Sequence, residues 1–411
     1  MKDSIYKTAS TPQFIAYTLL MCFIICKNSL ITYIFAVFRR IPIIGAFTTY
    51  LPPLIILVLA YYARHEKNES IVKTKDLLVP AFVIIALLLT VLIYPQNVEY
   101  ITYNYSYYIA FCIPAFFIGL SCNEFDDNMF RIIANVSCIS IVASYVFTFM
   151  YVSKNSTVVD ELGQSYSVLL CTLMIGGYYF SKKKKIYLIM YLLGVIYALS
   201  LGSRGPIICV CVHSVLCLFF SSKLRLPNKI AISFAIFLVV IIVLKTSIYN
   251  DFLITVQRLL KQNNMSTRVI DFLLSGEYIS HTSGRDEIYD QLFILLRERP
   301  LVGYGLFGEW PFIHWNAHEL YLEVLFEYGY ILGSILIIWY LFTVLSAYIK
   351  EKDISSKLFI TALVSFVLVQ GVMSYSHLRP ELFLLLGFCI RCNRKRIIDK
   401  KQRSESLERQ L

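Results

Sequence analysis

Charge is what this chain has least of. Asp, Glu, Lys and Arg make up 16% of its 411 residues, against about 25% in soluble domains. Ionisable residues are nearly absent from the middle of its apolar runs, Lys27 apart, and ion-coupled transporters usually need such groups at mid-membrane. Also missing are a phosphate-binding Gly-rich loop with a following Lys-Ser/Thr, a dinucleotide fingerprint, His-Glu-x-x-His and Gly-x-Ser-x-Gly, so no reading rests on those motifs. None of the 11 cysteines falls between Tyr249 and Glu327. A thiol-free segment fits an oxidising compartment and removes thiolate zinc sites from consideration. Fixed-period repeats are absent, and the first apolar run ends at Lys27-Asn-Ser rather than at a small-residue cleavage site.

What is present is apolar length. Hydrophobic residues make up 57% of the chain, in recurrent runs of about 18–22, each enough to cross a hydrocarbon core of about 30 Å. The expected fold is all-α: a polytopic membrane protein of about 12 transmembrane helices with one large helical extracytoplasmic loop. Spans are expected at 14–36, 42–62, 77–94, 104–121, 132–151, 165–180, 186–201, 206–221, 230–247, 329–348, 357–376 and 381–390. Residues 1–248 then hold nine spans, 249–327 the loop with the candidate active site, 328–390 three spans, and 391–411 a basic cytoplasmic tail. The net charge of +11 reports topology rather than a nucleic-acid partner. Lys182–Lys185 and the tail from Arg391 mark the cytoplasmic side. The loop itself carries 11 acids and 6 bases, a net of −5, so an anionic substrate would need individual arginines in a formed pocket.

Two helix starts in this loop draw attention. Asn316-Ala-His-Glu319 has capping-box spacing, which places His318 in the first turn of a helix running toward the next span. The positive helix end there disfavours imidazolium, and a neutral imidazole suits a general base or a donor to phosphate oxygen. A histidine merely satisfied at the lipid interface is the plainer alternative. Arg285 precedes Ile288, Leu292, Leu295 and Leu296, a helical pattern ended by Pro300. A cation opposes the dipole at that position, which points to an anion for it to bind. Pairing with one of the loop's own carboxylates is the alternative. Arg204, in Gly202-Ser-Arg-Gly-Pro206, and Arg379, in Ser376-His-Leu-Arg-Pro380, sit at expected outer turns. Each either snorkels to lipid phosphate or faces a polar cavity. Four of the six histidines, at 281, 314, 318 and 377, fall on the outer side, with spacing that matches no metal motif.

Taken in order, these segments resemble the O-antigen polymerase and ligase superfamily. The carriers are Ser203-Arg204-Gly205, Ser283-Gly284-Arg285, Pro300-Leu-Val-Gly-Tyr-Gly305 and His318-Glu-Leu-Tyr321-Leu322-Glu323 with Gly329. The resemblance covers roughly residues 165–390. Glu319 stands where the family pattern has Asn. The resemblance implies transfer of a glycan from undecaprenyl pyrophosphate, on the outer face of a bacterial inner membrane. His318, Arg285 and Arg204 would be catalytic, and Arg379, Tyr321, Glu319 and His377 would bind substrate. No metal or cofactor is implied. The partners would be the lipid-linked oligosaccharide, membrane lipid and a chain-length regulator. A polymerase is the expected activity, with the ligase that loads a lipid A core as the alternative. A lipid-linked glycan flippase is a third reading, for which the spans lack a polar path.

Overall fold

The computed structural model describes residues 15, 17–27, 29, 74–122, 125–147, 161–200, 204–219, 225, 227–231, 233–234, 247–262, 267, 270–271, 274, 285–314, 317–372 and 376–408. Among them regular structure is wholly helical, with no strand. The expected span 42–62 lies outside the described residues, as does most of 230–247. So do Ser203, His281, Ser283, Gly284 and Asn316.

Besides the single turn Trp310–Ile313, the α-helices are α1 (Tyr17–Lys27), α2 (Leu78–Ile93), α3 (Val98–Tyr107), α4 (Ile113–Ser121), α5 (Asp127–Phe147), α6 (Glu161–Lys182), α7 (Lys185–Ser200), α8 (Arg204–Phe219), α9 (Ser247–Gln262), α10 (Arg285–Glu298), α11 (Leu320–Lys350), α12 (Ile354–Gly371) and α13 (Pro380–Glu408). Among the described residues three, α5, α11 and α12, are long and apolar enough to cross a membrane, and a fourth span is counted if α2 and Pro95–Thr102, bent by 115°, are taken together. Shorter apolar helices lie at Tyr17–Lys27, Tyr108–Ser121, Lys185–Ala198 and Ile208–Phe219. The helical membrane character is thus borne out, and the described helices account for part of the twelve expected spans.

The apolar surface lies where lipid would meet it. Ile331, Ile335, Ile338, Phe342, Leu345 and Ile349 are all exposed on α11, and their spacing draws one stripe along the helix. In water such a stripe would be a liability, and against acyl chains it is the expected outer wall. α12 is the interior counterpart, with Phe359, Ile360, Ala362, Leu363 and Val367 all buried. Close helix approach uses small residues. A Cβ on Gly119 would press on the backbone of Leu384 and Phe388, and one on Gly387 on that of Phe116, so α4 and α13 meet almost backbone to backbone.

Lys27 is buried inside the bundle. Its ammonium donates to the Tyr107 hydroxyl and lies 4.7 Å and 4.8 Å from the ring centres of Tyr107 and Phe111. The π-helical turn Tyr108–Cys112 that presents this edge precedes Pro114. Proline has no N–H to continue an α-helical ladder, so the wider register absorbs the break. The last helix departs from the sequence-based boundary. α13 runs on to Glu408, well past the expected end at 390, because no Gly or Pro interrupts the tail. Near its middle, Arg394 pairs with the buried Asp76 just before α2.

Candidate active site

α11 is two helices. Gly329 has φ 74° and ψ 171°, which separates Leu320–Tyr328 from the exposed apolar stripe beyond. A break exposes backbone groups that must find partners, and the Pro300–Gly305 segment supplies them. Tyr304 N donates to Phe326 O and Gly305 N to Glu327 O, both at 2.9 Å, while Tyr330 N donates to Pro300 O at 2.7 Å. Gly303 and Gly305 also have positive φ, and a Cβ on Gly303 would meet the Phe326 carbonyl at 2.5 Å. Gly303 is therefore used for close approach to α11, and Gly305 for close approach to Tyr94 and Thr90 at the end of α2. The corner between α2 and α3 holds the segment from the other side. Asn97 Nδ2 donates to Tyr304 O and Leu306 O at 3.0 and 3.1 Å, Tyr94 OH to Gly303 O at 3.0 Å, and Leu306 N to Thr90 Oγ1 at 3.0 Å.

α10 begins at Arg285 and ends at Glu298, as the Ser-Gly-Arg start and Pro300 predict. Its Leu292 and Leu296 are fully buried with Tyr304, Ala317, Leu322 and Phe326. Each such leucine contributes roughly 1.5–3 kcal/mol, which fixes α10 over the first turns of α11 and brings its cationic start to His318.

His318 requires a correction. α11 starts at Leu320 with Glu319 as its N-cap, and Glu319 makes no side-chain capping bond. His318 thus precedes the helix, in left-handed conformation at φ 58°, instead of lying in its first turn. The capping-box reading fails because the helix is capped at Glu319, three residues later than the box requires, with His318 left-handed just ahead of it. Its titration shift nevertheless has the expected direction. Burial first, and then the Arg285 guanidinium, hold the imidazole pKa below its ordinary value, with Glu323 opposing them. A neutral ring at pH 7 therefore follows from desolvation and a neighbouring cation. Arg285 also acts on Tyr289, as does Glu319, so Arg285, Tyr289, His318 and Glu319 share one neighbourhood.

The other expected residues are placed differently. Arg204 opens α8, beside Gly205, where a Cβ would collide with the Tyr166 ring and hydroxyl. Arg379 is the exposed residue of the otherwise sheltered turn before α13, and its charge is felt at Cys112 of the π-helical turn, along with those of Lys27 and Glu381. The Tyr321 hydroxyl donates to Leu368 O at 3.3 Å, tying α11 to α12. His377 turns toward carboxylates: Nδ1 lies 3.1 Å from Glu323 and 3.6 Å from Glu327.

Of these glutamates only Glu323 was named from the sequence, as the end of the family motif, and Glu327 and the nearby Glu309 were passed over. All three are buried, at 0%, 1% and 0% exposure for Glu323, Glu327 and Glu309. Glu323 accepts from Ser376 Oγ at 2.9 Å and His377 N at 3.2 Å, and Glu327 from Phe307 N at 2.7 Å. Burial and then Glu323 hold the Glu309 carboxyl well above the usual range. Beside this cluster an apolar cavity of about 340 Å³ opens between α2, α11 and α13, walled by residues such as Val79, Phe82, Tyr321, Val324 and Leu386, with His377 among its few polar lining residues.

No curated protein and no solved structure matches the chain. Residues 188–338 match the family model described as O-Antigen ligase, a stretch that holds Arg204, Arg285, His318, Glu319 and Tyr321 and stops short of His377 and Arg379. Through that stretch, just over a third of the chain, the protein is similar to the O-antigen polymerase and ligase superfamily.

Proposed function

We propose that this protein is a glycosyltransferase that polymerises an O-antigen or related surface polysaccharide. It moves the growing glycan from undecaprenyl pyrophosphate to the next lipid-linked repeat unit. The observation that carries the reading is the meeting of Arg285 and His318, a guanidinium whose charge helps to keep a partly buried imidazole neutral.

In the proposed reaction an acceptor hydroxyl attacks the anomeric carbon of the donor, and the bond from that carbon to the pyrophosphate oxygen breaks. The hydroxyl proton passes to the His318 imidazole. The charge that develops on the departing pyrophosphate is met by Arg285, with Arg204 and Arg379 as further cations. The leaving group arrives activated, so neither nucleotide nor cofactor is needed for the step. The apolar cavity under Tyr321 suits the polyprenyl chain, since its walls are nearly devoid of polar groups. Glu319 and Tyr321 belong to the proposed substrate-binding set. His377, whose backbone N–H donates to Glu323, completes the substrate-binding set from the turn before α13. The site faces the periplasmic side of the inner membrane, and a chain-length regulator is a further partner.

A ligase that transfers the finished glycan to a lipid A core is the second reading, favoured by the description of the matched family. It uses the same donor and the same groups. Glu319 in place of the family's Asn, and the 30 tyrosines, lean toward a divergent polymerase. Deletion of the gene separates the two. Loss of long polymer with single repeats still attached to the core supports the polymerase. A bare core with long lipid-linked chains accumulating supports the ligase, and unaltered surface polysaccharide contradicts both.

A further inference from the structure

The carboxylate cluster at the helix break has more acceptors than donors. Glu323 and Glu327 are one helical turn apart on α11, and His377 reaches them from the turn before α13. A ligand atom from each of the three lies within 4.8 Å of the other two. The His377 Nδ1 contacts at 3.1 and 3.6 Å lack hydrogen-bond geometry, since neither ring nitrogen has a hydrogen-bond partner among the described residues. Glu327 Oε2 is likewise without one.

A second observation comes from outside this trio. Glu309 is wholly buried, and neither of its carboxylate oxygens is hydrogen-bonded among the described residues. It faces the same place, because Glu309 and Glu323 are the charges that act most strongly on Glu327. Among the described residues no lysine or arginine forms an ion pair with any of the three glutamates.

Buried carboxylates persist when they are paired, hydrogen-bonded or bound to a metal. Here pairing is limited to one imidazole. Protons alone would leave the site crowded with acceptors, whereas one divalent cation meets Glu323, Glu327 and His377 together and cancels two negative charges. The observed donor separations also suit a shared ion: bonds of about 2.1 Å in a tetrahedron put ligand atoms about 3.4 Å apart. A nitrogen in the donor set favours a first-row divalent metal over magnesium or calcium, which take oxygen.

We infer that Glu323, Glu327 and His377 form a binding site for a divalent transition metal of the zinc class, with Glu309 as the adjoining fourth carboxylate. The ion pins the outer half of α11 to the turn before α13, directly under the loop that carries His318. Its role is structural, as neither His318 nor Arg285 belongs to the donor set. The inference stands on this geometry and does not depend on the glycosyl-transfer reading.

The test uses the full-length protein in detergent, stripped with chelator and dialysed against cobalt(II) as an optical probe. About one cobalt per chain is expected, with absorption in the visible range that is lost in Glu327→Gln and His377→Ala. Because these variants remove a buried partner and could misfold, His377→Cys is the third arm. It keeps a donor at the position and should add a thiolate-to-cobalt charge-transfer band. Wild-type protein that melts cooperatively yet retains no cobalt overturns the inference. So does binding that is undiminished in both Glu327→Gln and His377→Ala, or a His377→Cys protein that binds cobalt without the new band. Since the readout is metal content and spectrum, a negative result leaves the transfer reading standing.

Discussion

Tyr330 donates its amide to the carbonyl of Pro300 at 2.7 Å, and Gly329 between the two halves of α11 makes that bond possible. The contact shows what the Pro-x-x-Gly-x-Gly segment does in this protein. It supplies backbone partners to a broken helix, and the break sets the direction from which Glu323 is presented by the first half of α11 and His318 by the segment just ahead of it.

Gly329→Ala is therefore expected to destabilise the protein. Positive φ on a non-glycine residue costs about 1–3 kcal/mol, and the added Cβ would run into the Leu301 carbonyl. A thermal melt of the purified variant checks this. A midpoint equal to wild type would mean that the clasp contributes nothing.

Asn97 is the polar rivet of the same clasp. Its amide group donates to two carbonyls, those of Tyr304 and Leu306, and the residue is buried. Asn97→Ala leaves both acceptors without it, a loss of about 1–3 kcal/mol. Asn97→Asp should be worse, since a carboxylate cannot donate to either carbonyl. Chemical denaturation of the three proteins gives the order directly, and an Asp variant as stable as wild type would contradict the assignment.

The titration of His318 gives a pH signature. Burial and Arg285 depress its pKa below the ordinary 6.5, so the ring is neutral in both folded and unfolded chains above that value. Below it the unfolded chain takes up the proton more readily. The sign is then fixed: stability contributed by the neutral ring is lost as pH falls under about 6.5. Activity that needs a neutral imidazole should be flat from neutral to mildly alkaline pH and fall on the acid side. Removing the cation in Arg285→Gln should move the His318 pKa upward, read from its ring resonances by NMR. A downward shift or none would separate the two residues.

Arg285→Lys tests the guanidinium itself. A lysine keeps the charge but cannot offer two parallel N–H donors to a pyrophosphate, so polymer formation should fall at least about tenfold. Full activity in the lysine variant would reduce Arg285 to a general electrostatic role.

Several of these features were legible in the residues and others were not. The start of α10 could be read because Ile288, Leu292, Leu295 and Leu296 repeat at helical spacing and Pro300 closes the run. The exposed stripe of α11 follows from simple apolar length. The start of α11 was misplaced, since Asn316 and Glu319 have the spacing of a capping box while the backbone at His318 is left-handed. The motif glycines were read as part of a family pattern, and their clasping role became visible only with Gly329 in contact with Leu301. The acidic cluster was not legible as a cluster, although Glu323 closes the family motif that begins at His318. Glu323 and Glu327 look like an ordinary polar face of a helix, Glu309 is isolated, and His377 is 54 residues from Glu323. Only tertiary packing turns them inward to one another.

His318 and Arg285 acting on a lipid-linked glycan are the centre of the proposed function, and one reconstitution addresses them directly. Purified wild-type, His318→Ala and Arg285→Ala proteins, matched for amount and melting behaviour, are supplied with undecaprenyl-pyrophosphate-linked repeat units, and product chain length is measured. Polymer from the wild type, with unextended repeat units remaining in both variants, is the expected result. Wild-type yield and chain length from both variants would contradict it.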